Sequence, residues 1–274
     1  MKLGEFKKHK KEYKEHLKLK ELAKNTIKKY MLDLNQFIKY LDKNEIEEVT
    51  KQVLIDYKDL LKDKYKVSTT NSKIISLNVY LKYLGLDDLA LKQLKAQSTV
   101  PNNLMQQSDY DRILRQAKEK GNARDVLMLE ALYRTGLRVS ELKDFTVESL
   151  SKGYITVTNK GKMRLVPITK TLKDQAEAYL KDTGISTGPI ITNQNGKRLS
   201  RNYIYNRIQY LAGQARVALK VAHPHNIRHL FAKQWIKRNG GNITQLADIL
   251  GHASLETTRI YLRLTVDEAR KTMA

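Results

Sequence analysis

Between His225 and Tyr261 the chain brings together residues able to do chemistry, His225, Arg228, His229, His252 and Tyr261. A guanidinium is a rigid fork that clamps one phosphate with two hydrogen bonds. Imidazole exchanges protons near neutral pH. His225 and Arg228 are three apart, so on a helix they share a face. His223-Pro224-His225 marks a helix start, because proline is tolerated in a first turn. There the helix dipole favours an anion over a cation, so a His and an Arg in that turn point to something anionic among them. Taken singly, each of these residues is more often structural than functional. Arg138 stands between two predicted helices, near a helix start where backbone N–H groups and a guanidinium can converge on one anion. Alone it reads as a surface Arg.

These side chains need elements to hold them. Ile227, Leu230, Phe231, Trp235 and Ile236 predict a helix from His225 to Gly240-Gly241. A second runs from Ile243 to Leu250 and stops at Gly251, with His252 directly after. Ser254 is expected to cap a third, carrying Tyr261 two turns in. Upstream, Ser108 is expected to cap a helix bearing Tyr110, Ile113, Leu114 and Ala117. Another, from about Ala123 to Arg134, ends at Gly136, a natural left-handed C-cap, and Leu137 to Leu142 restarts as a short helix. The period then falls to two in Tyr154–Thr158 and Arg164–Ile168, two strands joined by the turn Asn159-Lys160-Gly161-Lys162-Met163. A lysine at such a tip can swing into a groove, or be merely solvated. Pro189–Thr192 predicts a third short strand, and Ser200 caps a long helix through Ala215.

Charge separates the chain into halves. The 274 residues carry a net charge of +22, a balance suited to a polyanion, since each cation near a phosphate releases counterions. A ribosomal or membrane-surface protein shares that balance. Residues 1–100 hold 22 Lys, 14 acids and no Arg, and every Arg follows from Arg112 onward. The split suggests a gripping first half and a more exacting second half. Helices are expected at Glu5–Leu19, at Asn25–Leu41, after Thr50, and from Ser68 or Thr69 to Gly85, together a small basic bundle. The expected organisation is a helical domain over 1–97, at best a DNA-gripping one, a linker over 98–103 and a second domain over 104–274. With no Cys, disulfides, thiolate metal sites and Cys nucleophiles are excluded, and a reducing, cytoplasmic location is expected. No apolar run approaches the roughly 20 residues of a membrane span.

Four stretches resemble the signature boxes of the tyrosine recombinases, or λ-integrase family. They are Thr135-Gly136-Leu137-Arg138-Val139-Ser140-Glu141-Leu142, His225-Asn226-Ile227-Arg228-His229, Leu250-Gly251-His252 and Thr257-Thr258-Arg259-Ile260-Tyr261. They stand in the family's order, with the family's spacing of nine from His252 to Tyr261. The resemblance covers the second half, and the first half looks like the core-binding domain such enzymes place before the catalytic one. It implies a mainly α fold with a small β-sheet: an N-terminal helical, SAM-like bundle and a mixed α+β catalytic domain.

The resemblance also implies a site-specific DNA recombinase. The Tyr261 oxygen would attack a DNA phosphodiester, giving a 3′-phosphotyrosine and a free 5′-hydroxyl. The 5′-hydroxyl of another strand reverses the step, so neither ATP nor water is needed; no cofactor is expected, and the arginines would do the work a metal does elsewhere. Arg138 and Arg228 would clamp the nonbridging oxygens, His225 would exchange the tyrosine proton, and His252 would hydrogen-bond the phosphate. A hairpin lysine would protonate the leaving oxygen: Lys160, directly before the turn glycine, with Lys162 the alternative because the turn looks shorter than in Xer-type relatives. Glu141 would orient its neighbours, and His229 would be structural or supporting. The compact length resembles Xer-type and small mobile-element enzymes. The implied partners are a double-stranded DNA recombination site and a homo-tetramer, or a hetero-tetramer with a related recombinase, its tail after Tyr261 docking on a neighbour. Two other readings stay open: a type IB topoisomerase-like relaxing enzyme, and a catalytically silent DNA-binding relative.

Overall fold

The computed structural model describes residues 1–95, 103–159, 161–252 and 254–261. The chain divides into two compact units, Met1–Ser98 and Thr99–Ala274. The expected linker lies almost wholly outside the described residues.

In the first unit, the single basic helix expected from Glu5 to Leu19 is two helices, α1 (Leu3–Lys8) and α2 (Lys10–Leu19), broken at His9. Long-range contacts set the break. Leu3 N–H donates to Glu47 O at 2.7 Å, tying the start of the chain to the loop just before Lys51. Tyr80 Oη donates to Phe6 O at 2.5 Å, competing for the carbonyl that a continuous helix would give to Lys10. Then follow α3 (Lys24–Lys43), α4 (Lys51–Lys64) and α5 (Val67–Tyr83). Thr50 caps α4 as expected, its hydroxyl accepting from Val53 N–H. Neither Ser68 nor Thr69 caps α5; the helix begins before them with Lys66 at the cap, and Thr70 spends its hydroxyl on Leu61 O instead. Tyr13, Tyr57 and Tyr80 are core. Phe6 meets Tyr80 edge-on at 5.0 Å, and Tyr13 meets Tyr80 at 4.7 Å.

One charge is buried in this bundle. The Asp33 carboxylate of α3 is 7 % exposed and accepts from Ser76 Oγ (2.7 Å), Lys29 Nζ (3.0 Å) and Lys73 Nζ (3.1 Å), stitching α3 to α5.

The second unit opens with α6 (Gln107–Glu119), whose start is held by the Asp109 carboxylate accepting from Gln106 N–H at 3.0 Å rather than by Ser108, which falls inside the first turn. Helix α7 (Ala123–Thr135) ends at Gly136 as expected. The chain restarts as a 3₁₀ helix, Val139–Asp144, and then α8 (Val147–Lys152). Strands β1 (Tyr154–Asn159) and β2 (Lys162–Pro167) pair antiparallel from Tyr154↔Pro167 to Asn159↔Lys162, so the tip is two residues rather than five. Ile155, Val157 and Val166 face the core, while Met163 and Leu165 are exposed. The third strand does not form. Residues 189–192 make only isolated bridges, Thr146↔Pro189 and Thr192↔Arg198. Pro189 has no N–H to give a ladder, and Ile190 N–H goes to Phe145 O at 3.1 Å. Helices α9 (Lys170–Thr183), α10 (Arg201–Gln214), α11 (Pro224–Arg238), α12 (Ile243–Leu250) and α13 (Leu255–Arg259) complete the unit. The fold is mainly helical with one two-stranded sheet among the described residues. None of the described helices is long and apolar enough to cross a membrane.

Burial works against the Asp33 carboxylate, but the hydrogen bonds from Ser76, Lys29 and Lys73 outweigh it and hold its pKa below the usual range. Its contribution is therefore present above the unfolded pKa of about 4 and is lost as pH falls through the lower folded value. Asp33→Asn is expected to cost about 2 kcal/mol at pH 7, as hydrogen bonds to charged groups do. Urea unfolding should show that gap closing as the pH is taken below 4.

Candidate active site

Gly136 sits at φ 62°, and a Cβ there would come within 2.4 Å of Phe231 Cδ1, so only glycine fits this end of α7. Two residues on, Arg138 caps the 3₁₀ helix. Glu141, three residues further, is 4 % exposed. Its carboxylate accepts from the Arg138 backbone N–H at 2.8 Å and from Arg138 Nη1 at 2.8 Å. It also accepts from Arg164 through both terminal nitrogens, Nη2 at 2.6 Å and Nη1 at 3.2 Å. Burial opposes ionisation of Glu141, yet the bonds from Arg164 and Arg138 prevail and hold its pKa below the usual range.

Three guanidiniums converge on the carbonyl ends of two helices. Arg228, from the second turn of α11, donates Nη1 to Gly136 O at 2.6 Å and Nη2 to Leu250 O at 2.5 Å. Arg164 Nε donates to Ile249 O at 2.8 Å, and Arg138 Nη2 to Gly251 O at 3.3 Å. The last carbonyls of a helix lack intrahelical donors and form its negative pole, so the end of α12 offsets the repulsion among the arginines. Gly251 makes this possible: at φ 64° its Cβ would stand 2.8 Å from Arg164 Nη1. Arg228 is 1 % exposed, and its pKa is pulled down to about 10, by burial first and then by Arg138, which leaves it charged at neutral pH.

The histidines are held neutral. His252 Nε2 lies 3.2 Å from Arg228 Nη2, and Nδ1 lies 2.8 Å from Thr258 Oγ1. A guanidinium only donates, so Nε2 accepts and the proton rests on Nδ1. Burial, then Arg228 and Arg138, bring the His252 pKa to about 4. His229 also falls to about 4, through burial and then His225. Burial and then Arg228 lower His225 as well. Tyr261 follows α13 rather than riding two turns along it. Its N–H bonds to Thr258 O at 3.0 Å, a tightened turn, in a stretch where Thr257, Thr258 and Ile260 are poor helix formers. Its ring packs with Phe231, Trp235 and Ile236 on the Ala232–Leu246–Leu250 cluster. His229 is 5.3 Å from that ring and His252 6.3 Å, stacked at 17°. His225 in turn meets His229 edge-on at 4.4 Å. Burial raises the Tyr261 pKa, while Arg228 and Arg138 draw it down.

Arg138, Arg228, His225, His252 and Tyr261 thus come together. Lys160 and the tail after Tyr261 lie outside the described residues, and Lys162 is exposed at the start of β2. Sequence reasoning passed over Arg164, although the alternation of β2 puts it on the inward face with Val166, an odd place for an unpaired Arg. It also left the ring beside Tyr261 unidentified: that ring is His229, not His225. Three guanidiniums against one carboxylate, with neutral imidazoles, leave a positive site able to hold a phosphodiester beside a tyrosine hydroxyl.

A two-unit helical protein with such a site has the makings of an enzyme that transfers phosphoryl groups through tyrosine. The phage integrase family model matches residues 103–268, and the model of its N-terminal SAM-like domain matches residues 11–86. Tyrosine recombinase XerA of Pyrococcus horikoshii is 31% identical over 269 residues, covering 95% of this chain and 90% of that one. A tyrosine recombinase of Pseudothermotoga lettingae is 31% identical, covering 91% of each. A crystal structure of XerA recombinase aligns over 98% of this chain and 96% of that one at 25% identity, with a TM-score of 0.55. A λ integrase (75–356) dimer bound to a COC′ core site shares the fold at 17% identity, a TM-score of 0.75 and 96% coverage of each chain. The chain belongs to the phage integrase family of tyrosine recombinases.

His229 and His252 stay neutral to about pH 4 in the folded chain, against about 6.5 when unfolded. The unfolded state therefore takes up protons first. The stability this neutrality represents is present above pH 6.5 and is lost as pH falls toward 4. Thermal melts are expected to give a lower Tm at pH 5 than at pH 7.5, and His252→Gln should shrink the difference.

Proposed function

We propose that the protein is a site-specific DNA recombinase that breaks and rejoins strands through a 3′-phosphotyrosine on Tyr261. The observation that carries this reading is the convergence of Arg138, Arg228 and His252 beside Tyr261 on the ends of α7 and α12. A scissile phosphate enters against Arg138, the most exposed of the three forks with 32 % of its side chain accessible. Arg138 and Arg228 neutralise the charge growing on its nonbridging oxygens. Burial and then the neighbouring arginines keep His252 neutral at rest, and the anion counters both, so His252 gains a second proton and donates Nε2–H to the phosphate.

Tyr261 attacks phosphorus. The Oη–P bond forms, the P–O5′ bond breaks, the tyrosine proton passes to neutral His225, and a hairpin lysine protonates the departing O5′. His229 stands between His225 and Tyr261 at rest. Tyr261 therefore leaves its apolar packing to react, and burial keeps its hydroxyl protonated until then. The lysine is Lys160, with Lys162 the alternative. Attack by a 5′-hydroxyl of another strand reverses the step. The partner is a double-stranded recombination site, on which a homo-tetramer, or a hetero-tetramer with a related recombinase, assembles in the cytoplasm. Residues 1–97 grip the duplex, 98–103 link, and 104–274 carry the chemistry. Exposed Lys8, Lys11, Lys14, Lys24 and Lys28 around the groove of α1–α3 support that grip.

The test uses duplexes nicked beside a candidate site, so that the cleaved end diffuses away. A covalent adduct in denaturing gels is expected for the wild type and none for Tyr261→Phe; an adduct in the Phe variant removes Tyr261 as nucleophile. Arg138→Ala is expected to slow adduct formation about 10²–10³-fold, the usual cost of one charge-stabilising donor. Of Lys160→Ala and Lys162→Ala, the first is expected to show the larger loss.

A further inference from the structure

We infer that Arg164 is a positioning residue for strand cleavage, locking the hairpin that carries Lys160 and Lys162 onto the arginine clamp. The inference rests on the reading that a hairpin lysine is the general acid. A two-stranded hairpin is marginally stable by itself, and this one has packing only at its root. Ile155, Val157 and Val166 are buried, whereas Thr158, Asn159, Lys162 and Met163 are exposed. Arg164, paired across the sheet with Val157, is the last sheltered residue of β2 before the tip.

All three of its nitrogens are committed: Nε to Ile249 O at 2.8 Å, Nη1 and Nη2 to the two Glu141 oxygens at 3.2 and 2.6 Å. Its side chain is 11 % exposed. The Glu141 carboxylate it grips also holds Arg138 at 2.8 Å. One side chain thus joins β2 of the hairpin to Glu141, which holds Arg138, and to the helix end that receives Arg228. Lysine cannot substitute, because a point charge cannot bridge both carboxylate oxygens and a carbonyl in one plane.

A nicked duplex with sulfur in place of the bridging O5′ separates the possibilities. A thiolate leaves without a proton, so cleavage of that substrate bypasses the general acid. The quantity read is the ratio of sulfur to oxygen cleavage rates within one preparation, in which any loss of folded protein cancels. Relative to the wild type, the hairpin lysine variant is expected to raise the ratio about 10²-fold, the usual size of general-acid catalysis. Arg164→Lys is expected to raise it at least about 10-fold by the same loss of proton delivery, with the full-length protein still folded by circular dichroism. Equal slowing on both substrates in Arg164→Lys, alongside a raised ratio in the lysine variant, overturns the positioning role and leaves the general acid standing. An unchanged ratio in both Lys160→Ala and Lys162→Ala removes the hairpin general acid, and the role of Arg164 with it.

Discussion

Three guanidiniums within reach of one another are tolerable only because one buried carboxylate and the carbonyl ends of two helices lie among them. Glu141 takes Arg138 and Arg164 directly, and Arg228 stands 4.0 Å from it. Gly136, Ile249, Leu250 and Gly251 supply the carbonyls. Removing one member of such a network leaves an uncompensated buried charge, which is far more damaging than replacing the whole with apolar groups. The clamp is thus built into the fold before any DNA arrives. On the proposed mechanism this serves electrostatic preorganisation, because guanidiniums fixed by the fold need little rearrangement at the moment of reaction.

Much of this was legible in the sequence because local rules and function demanded the same residues. Gly136 and Gly251 close helices by taking left-handed backbone, and those closures also admit Phe231 and Arg164 to within contact. Pro224 fixes the helix start that carries Arg228. What was not legible depends on distant partners. His9 breaks the first helix because Glu47 and Tyr80, far along the chain, hold its neighbours. The stretch 189–192 has the composition of a strand but finds no edge to join. Arg164 has no motif of its own, and its importance follows only from Glu141 and Ile249, which lie 23 and 85 residues away.

The aromatic and imidazole side of the site follows a different logic from the arginine side. There the rings are neutral and packed. His225, His229 and Tyr261 form a chain of ring contacts ending on the Phe231–Trp235 cluster. Burial that weakens the acidity of Tyr261 also shields a hydroxyl that has no work to do without a phosphate in front of it. On the proposed mechanism the resting nucleophile is held unreactive by burial, and the charge that lowers its pKa belongs to Arg228 and Arg138.

The tautomer of His252 has a thermodynamic consequence. At rest its Nε2 lone pair is engaged by Arg228, and only Nδ1 carries hydrogen. On the proposed mechanism that ring must become doubly protonated when a phosphate arrives, so DNA and a proton bind as a pair. Complex formation then has a proton stoichiometry as well as a salt stoichiometry. The heat of binding will depend on the ionisation enthalpy of the buffer, and the apparent affinity will weaken as the solution becomes more alkaline.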